Sequence, residues 1–251
     1  MKRGRTIRGS AFALVFVCLF AEQSFAQTNA EFLKATQDYT AGRFQDAIKS
    51  YESLVQARQF SANLFYDLGN AYFRAGDFGA AILNYERALA LDQHHPEADA
   101  NLRIVRDETR ALELAPSPIE RFLQFGTANQ YAVVAALAFW VAAFALVAFF
   151  FSRRRATGAL ALSILSLSIF AIAVFAGYRL ENGSNGKALA IVTGNGVEAR
   201  LATADNANTV LALPPGSEIK ILSTRGDWIY AALPYNLRGW LPAKSAELVR
   251  L

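Results

Sequence analysis

The sequence predicts a multidomain membrane protein that combines an all-α solenoid of helical repeats, a two-helix transmembrane hairpin and a C-terminal all-β barrel. Three observations predict this fold class: a motif that recurs after 34 residues, two long apolar runs without charge, and a final stretch of short strand-like runs between turn residues. Because these patterns have different periodicities, they indicate separate structural units rather than one shared core.

The composition excludes several classes of protein. Just over half of the residues are apolar, 53%, which is high for a soluble protein. The net charge is +4, and residues 1–26 contribute +3 of it, so the nearly neutral remainder predicts no nucleic-acid partner. The only cysteine, Cys18, lies in the N-terminal apolar run, which excludes a disulfide framework. The adjacent His94 and His95 lack the ligand spacing of a metal site, so we expect no metal and no other cofactor.

Residues 1–26 have the pattern of an export signal. A basic segment precedes an apolar run from Ala11 to Ala21, and small residues at Ser24 and Ala26 fit a signal-peptidase site after Ala26. The apolar run is shorter than the ~20 residues that span a bilayer. The sequence therefore predicts a cleaved signal peptide, with an uncleaved anchor as the alternative.

Residues 27–115 contain an internal repeat with helical periodicity. The segments around 43–55 and 77–89 share six pairs of identical residues, and the two members of each pair are 34 positions apart. These pairs are Gly42 and Gly76, Phe44 and Phe78, Ala47 and Ala81, Ile48 and Ile82, Tyr51 and Tyr85, and Glu52 and Glu86. A helix–turn–helix unit of 34 residues is the period of the tetratricopeptide repeat (TPR). The small and aromatic residues at these positions predict closely packed helices within a stack.

The second repeat, 65–92, fits the TPR signature better than the first. Its Gly69 is predicted to lie where the two helices of the hairpin touch. A third helix, about 96–113, has no partner helix and is predicted to cap the stack. Two repeats and a cap make a minimal solenoid, so a partner protein or a second copy is expected to complete it.

The candidate binding residues lie on the first helix of the second repeat and on the cap. Asn70 and Asn101 occupy positions that hold a peptide's terminal carboxylate or backbone in TPR domains resembling the carboxylate-clamp class. Tyr66 stands where that class has a lysine, so an extended segment or a partner helix is the expected ligand, with Tyr66, Phe73 and Arg74 adding contacts. The alternative is that the two asparagines bond each other or neighbouring backbone and fix the helix packing.

Two uncharged runs, 131–151 and 156–178, are each long enough to cross the hydrocarbon core of a bilayer, ~30 Å. The loop 152–155 between them contains three arginines, Arg153, Arg154 and Arg155. By the positive-inside rule this loop is cytoplasmic, which puts the flanking regions on the extracytoplasmic side of the bacterial inner membrane. The predicted export signal agrees with this topology.

Two segments connect the hairpin to the flanking domains. In the juxtamembrane segment 116–130, Ile119, Phe122 and Phe125 follow a helical spacing, so the segment either lies on the membrane surface or forms an ordinary linker turn. Residues 179–186 are rich in Gly, Asn and Ser and form a flexible linker.

Residues 187–251 consist of short strand-like runs punctuated by Asn, Gly, Pro and Asp, which favours a small antiparallel barrel. Gly226-Asp227-Trp228 followed by Gly239-Trp240 resembles the pattern of bacterial SH3-like domains. The aromatic residues in this part are Trp228, Tyr230, Tyr235 and Trp240. They form either an exposed surface that binds a peptide or a glycan strand, or part of the barrel core.

The order of these elements resembles the BatE-type proteins of bacterial aerotolerance (Bat) operons, with segments 64–92 and 95–109 carrying the similarity. The resemblance implies a scaffold of the bacterial envelope that acts beside von Willebrand-type membrane proteins and a MoxR-type ATPase. It implies a location and a class of partner, not a reaction.

The expected function is therefore a non-catalytic, membrane-anchored adaptor whose partners are other membrane or periplasmic proteins and the lipid bilayer. The sequence contains no Gly-rich phosphate loop and no HExxH motif, and the predicted domains leave no room for a catalytic one. The alternative is a cell-wall-associated factor whose SH3-like domain binds peptidoglycan, as an accessory to a hydrolase or part of one.

Overall fold

The computed structural model describes residues 30–123, 125–151, 157–183 and 186–251. Within them lie a region of helical repeats, two long apolar helices and a C-terminal antiparallel sheet, which confirms the predicted fold class. The export signal predicted for 1–26 lies outside the described residues, as do Arg153, Arg154 and Arg155.

Five helices form the repeat region, and their boundaries follow from local capping. They are α1 (30–40), α2 (Phe44–Gln56), α3 (Ala62–Ala75), α4 (Phe78–Leu91) and α5 (Pro96–Thr109). The hydroxyl of Ser61 accepts a hydrogen bond from the first turn of α3, and Asp77 caps α4 in the same way. Gly76, at φ 83°, ends α3 in the left-handed conformation that glycine adopts without strain.

The core of the repeat region is continuous across the helices. Tyr51 and Leu54 of α2 pack with Leu64 and Leu68 of α3 in one buried cluster. A second buried cluster joins α3, α4 and α5 through Phe65, Ala88 and Ala98. The helix α5 therefore packs against the second hairpin.

The chain divides into two compact units. Of the described residues, one unit comprises 30–111 together with Ile191–Gly196 and Pro214–Ser217, and the other comprises those of Leu112–Ala190, Val197–Leu213 and Glu218–Leu251. In the second unit the main chain after α5 pairs with the C-terminal sheet, since Glu218 N donates to Leu112 O at 2.8 Å. The helix α5 ends at Thr109, where the next residue, Arg110, adopts a left-handed conformation at φ 55°; the sequence pattern predicted an end near 113.

Three further helices follow: α6 (Pro118–Leu123), α7 (Ala128–Phe151) and α8 (Thr157–Glu181). Both long helices extend into the polar residues that flank the predicted apolar runs. They pack on each other through small residues, namely Ala135, Ala138, Ala142 and Ala145 on α7 and Ser163, Ser166, Ala173 and Ala176 on α8. The hydroxyl of Ser163 donates to Ala142 O across the helix pair at 3.2 Å, whereas Ser168 donates to Ile164 O within its own helix.

The C-terminal strands are β1 (Leu189–Val192), β2 (Val197–Arg200), β3 (Thr209–Leu213), β4 (Glu218–Arg225), β5 (Trp228–Ala232), β6 (Arg238–Pro242) and β7 (Ala246–Leu248). They form a seven-stranded sheet in the order β3-β2-β6-β5-β4-β1-β7. The sheet is not closed, since no ladder joins β3 to β7 among the described residues. β7 has three residues and offers little ladder for closure.

Candidate partner-binding face

One side of α3 is left outside the buried core of the repeats. Residues at helical spacing along this side are Asn63, Tyr66, Asp67, Asn70, Phe73 and Arg74, which we call the α3 outer face. Every member is exposed or half-buried, whereas Leu64 and Leu68 on the opposite side are buried. The three candidate residues predicted on α3 beside Asn70 therefore lie together with it on one surface, as the repeat pattern implies.

Asn70 is the centre of a hydrogen-bond network that joins three helices. Its Oδ1 accepts from Tyr85 Oη of α4 at 2.8 Å and from Asn101 Nδ2 of α5 at 2.9 Å. This geometry fits the alternative in which the two asparagines fix the helix packing. Asn70 Nδ2 and Asn101 Oδ1 take part in no hydrogen bond that the described residues show, so each remains able to meet the backbone of a bound segment.

His95 lies beside Asn63 and Tyr66 at the N-terminal end of the α3 outer face, although no role was predicted for it from the sequence. Its Nδ1 accepts from Ala98 N and caps α5, while its Nε2 lies 3.3 Å from Asn63 Oδ1. The Tyr66 ring packs against the imidazole with 5.0 Å between the ring centroids. The signal for this role was present in the sequence, because a polar residue directly before Pro96 marks a helix start.

Phe73 and Arg74 mainly connect α3 to its neighbours. The Phe73 ring lies 5.8 Å from the Phe78 ring of α4, and the Arg74 guanidinium lies 4.8 Å from the centre of the Phe44 ring of α2. The second contact is a cation–π interaction. Arg74 remains exposed, so it can still contact a ligand.

Two members of this face, Asn63 and Asp67, were not predicted from the sequence, and Asp67 is the ionisable one. Burial raises the pKa of its carboxyl to about 6, and the nearby His95 opposes the shift. A half-buried carboxylate at pH 7 favours a basic or N–H-donating partner. The half-burial of Asp67 depends on how α3 sits beside the start of α5, which local sequence does not reveal.

The substitution Asp67→Asn should raise stability at neutral pH. The pKa of Asp67 is about 6 in the folded chain and 3.8 for an ordinary aspartate, so the folded chain binds more protons than the unfolded chain between these two pH values. The free energy of unfolding therefore falls as the pH rises from 3.8 to about 6. The Asp67→Asn variant has no carboxyl group to ionise at this position, so it does not lose this stability. We expect a gain of ~1 kcal/mol at pH 7 after solvent screening, measured by urea unfolding at pH 4 and pH 7. The matched control is Asp46→Asn at an exposed site; a gain for Asp67→Asn that is equal at both pH values would contradict the prediction.

The aromatic residues predicted in the C-terminal domain do not form its core. Ile229, Ala231 and Leu241 fill that role, and Trp228, Tyr230 and Trp240 alternate with them on the other face of the sheet, half-buried. The Tyr230 and Trp240 rings lie 5.0 Å apart. Tyr235 is separate from them, 73% exposed in the turn between β5 and β6.

The described residues contain no group of three or more His, Cys, Asp or Glu side chains that could hold a metal ion. The family model of the tetratricopeptide repeat matches residues 62–95, which cover α3, α4 and the turn that follows. No curated protein matches the chain significantly. The second hairpin is thus a tetratricopeptide repeat, a module typical of non-catalytic protein–protein interaction.

Proposed function

We propose that this protein is a non-catalytic, membrane-anchored adaptor of the bacterial envelope whose α3 outer face binds a partner protein. The observation that carries the proposal is the tetratricopeptide hairpin at 62–95, which leaves Asn63, Tyr66 and Asp67 accessible on one helix. Stacked helical repeats bind extended segments or partner helices on such a surface. The amide, phenol and carboxylate of these residues suit a segment that offers main-chain N–H groups or a basic side chain.

The two apolar helices support the anchoring. Both are long and apolar enough to cross a membrane, and their large side chains point away from the helix pair. Phe144 is 68% exposed and Phe150 is 74% exposed, whereas the core helix of a soluble protein would bury such residues. A surrounding bilayer would cover this surface, and Arg153, Arg154 and Arg155 would hold the connecting loop in the cytoplasm.

The sequence resemblance to BatE-type proteins suggests the setting of this adaptor. In that setting its partner would be a von Willebrand-type membrane protein of a Bat complex, with both flanking domains in the periplasm. The support is the order of the elements together with the tetratricopeptide repeat.

Reporter fusions would test the topology. Alkaline phosphatase fused after Leu251 should be active, because the C-terminal domain is expected to lie in the periplasm, and the same fusion after Arg154 should be inactive. The opposite activities would contradict the proposed orientation. Replacing the three arginines by glutamine should weaken the orientation and produce mixed activities, since the positive charge of the loop sets it.

Photo-crosslinking in the native membrane would test the partner-binding face. A photoreactive phenylalanine analogue at Tyr66 should give a discrete adduct with one protein, whereas the same analogue at the exposed Ala90 of α4 should not. Competition by an untagged copy of the repeat region should reduce the Tyr66 adduct. Equal adducts at both positions, or none at Tyr66 while the protein is inserted and folded, would exclude this face as the binding site.

A further inference from the structure

The outer face of the C-terminal sheet has a composition distinct from that of the α3 outer face. Along β5 and β6 the residues alternate between the buried core and this second surface, so directly paired residues on neighbouring strands share a face. Trp228 pairs with Pro242, and Tyr230 pairs with Trp240. Trp228, Tyr230 and Trp240 therefore lie side by side across β5 and β6, and we call these three residues the aromatic strip.

Arginines surround the aromatic strip. By strand register, Arg225 of β4 stands opposite Trp228, Arg200 of β2 stands opposite Trp240, and Arg238 of β6 stands opposite Ala232. Directly opposite residues project to the same side of a sheet, so these three cations border the strip on three sides.

Two of these arginines have no acidic partner among the described residues. Glu198, next to Arg200 on this face, forms an ion pair with Arg200 at 3.5 Å and accepts a hydrogen bond from Thr209. Arg225 and Arg238 are exposed, and neither forms an ion pair in the part of the chain that the structure describes. The surface is therefore aromatic at its centre and cationic at its ends.

We propose that this face binds an extended acidic peptide segment of a partner protein. The guanidinium groups of Arg225 and Arg238 would take one carboxylate each, because arginine binds carboxylates in a bidentate manner. The backbone positions of these two arginines lie four residues or ~13 Å apart along β5 and two strand spacings or ~9.5 Å apart across it, which gives a separation of ~16 Å. A segment with acidic residues four positions apart that runs obliquely across β5 can reach both guanidinium groups, because arginine and glutamate side chains are long enough to cover the remaining few Å. Its intervening side chains would lie on the aromatic strip. A neutral glycan would use the aromatic rings but leave both cations unpaired.

The test uses the full chain in a non-ionic detergent and follows tryptophan fluorescence. The probe is the peptide Glu-Thr-Val-Thr-Glu with blocked ends, and the matched control peptide has lysine in place of both glutamates. We expect the acidic peptide to bind, the lysine peptide not to bind, and the affinity to fall with added salt. The double variant R225Q/R238Q should bind about tenfold more weakly. The control variant R250Q, at an exposed position beyond β7, should bind as the parent does.

Three outcomes would overturn the proposal: equal binding of both peptides, unchanged affinity in R225Q/R238Q, or binding of soluble peptidoglycan fragments without binding of the acidic peptide. The third outcome would favour the cell-wall alternative for this domain. Since Arg225 and Arg238 are exposed, their replacement should leave the melting temperature unchanged, which shows that any loss of affinity is local. None of these readouts depends on the partner of the α3 outer face.

Discussion

We expect the substitution Gly69→Leu to destabilise the repeat region by ~3 kcal/mol, since it inserts a side chain into a closed helix contact. A Cβ atom at position 69 would lie 2.8 Å from two ring atoms of Tyr85 and 3.3 Å from Ala81 O. Tyr85 is fully buried, and its hydroxyl is held by Asn70, so the ring has little freedom to move. Even Gly69→Ala should destabilise, although alanine is favoured over glycine inside a helix by ~1 kcal/mol.

Hydrogen exchange of the full chain in detergent would measure this effect locally. Amides of α3 and α4 should exchange faster in both Gly69 variants, more so for leucine, while those of the C-terminal sheet should keep their protection. The matched control is Ala90→Leu, which adds a large side chain at an exposed position of α4. A Gly69→Ala variant with unchanged or increased protection would show that the two helices separate easily at this point.

Much of this contact was predictable because it follows from local periodicity. The 34-residue recurrence placed Ala81 and Tyr85, and the TPR signature placed Gly69, at positions where a repeat needs small and large residues; the structure brings the three together. The short strand-like runs in 187–251 were also recognisable, since alternation and turn residues act over a few neighbours. Whether those strands close into a barrel depends on pairing between β3 and β7, which are far apart in the chain.

The details of the candidate face were less predictable. The sequence left open whether Asn70 and Asn101 contact a ligand or each other, because the answer depends on the distance between α3 and α5. Ser163 is a second example, since its hydroxyl donates to Ala142 O of the other helix, whereas the hydroxyl of Ser168 bonds within its own helix. The alternative hydrogen bonds of a polar side chain differ in net free energy by ~1 kcal/mol. Which of them forms therefore depends on the groups that the folded chain brings near.

Replacing Asn70 should also lower stability strongly, because its side chain joins three helices. We expect Asn70→Ala to reduce the free energy of unfolding by ~2 kcal/mol, because it removes the acceptor of two donors, Tyr85 Oη and Asn101 Nδ2. Tyr85 is fully buried. Burial also raises the pKa of Tyr85, so the phenol stays protonated and needs an acceptor at any physiological pH. Asn101→Ala should cost less, since its amide is half-buried and water can replace it.

A double-mutant cycle with Tyr85→Phe separates a packing role of Asn70 from a role in binding. Tyr85→Phe alone should cost ~1 kcal/mol, and in its presence Asn70→Ala should cost about half as much as in the parent, because the phenol no longer needs an acceptor. Unfolding of the repeat region followed by hydrogen exchange gives all four free energies. Asn63→Ala, at an exposed position of the same face, is the control and should change stability by less than ~0.5 kcal/mol. If Asn70→Ala and Tyr85→Phe are additive, the bond between them does not hold the helices. An Asn70→Ala variant that keeps the stability of the parent but loses the Tyr66 crosslink would then assign Asn70 to partner binding alone.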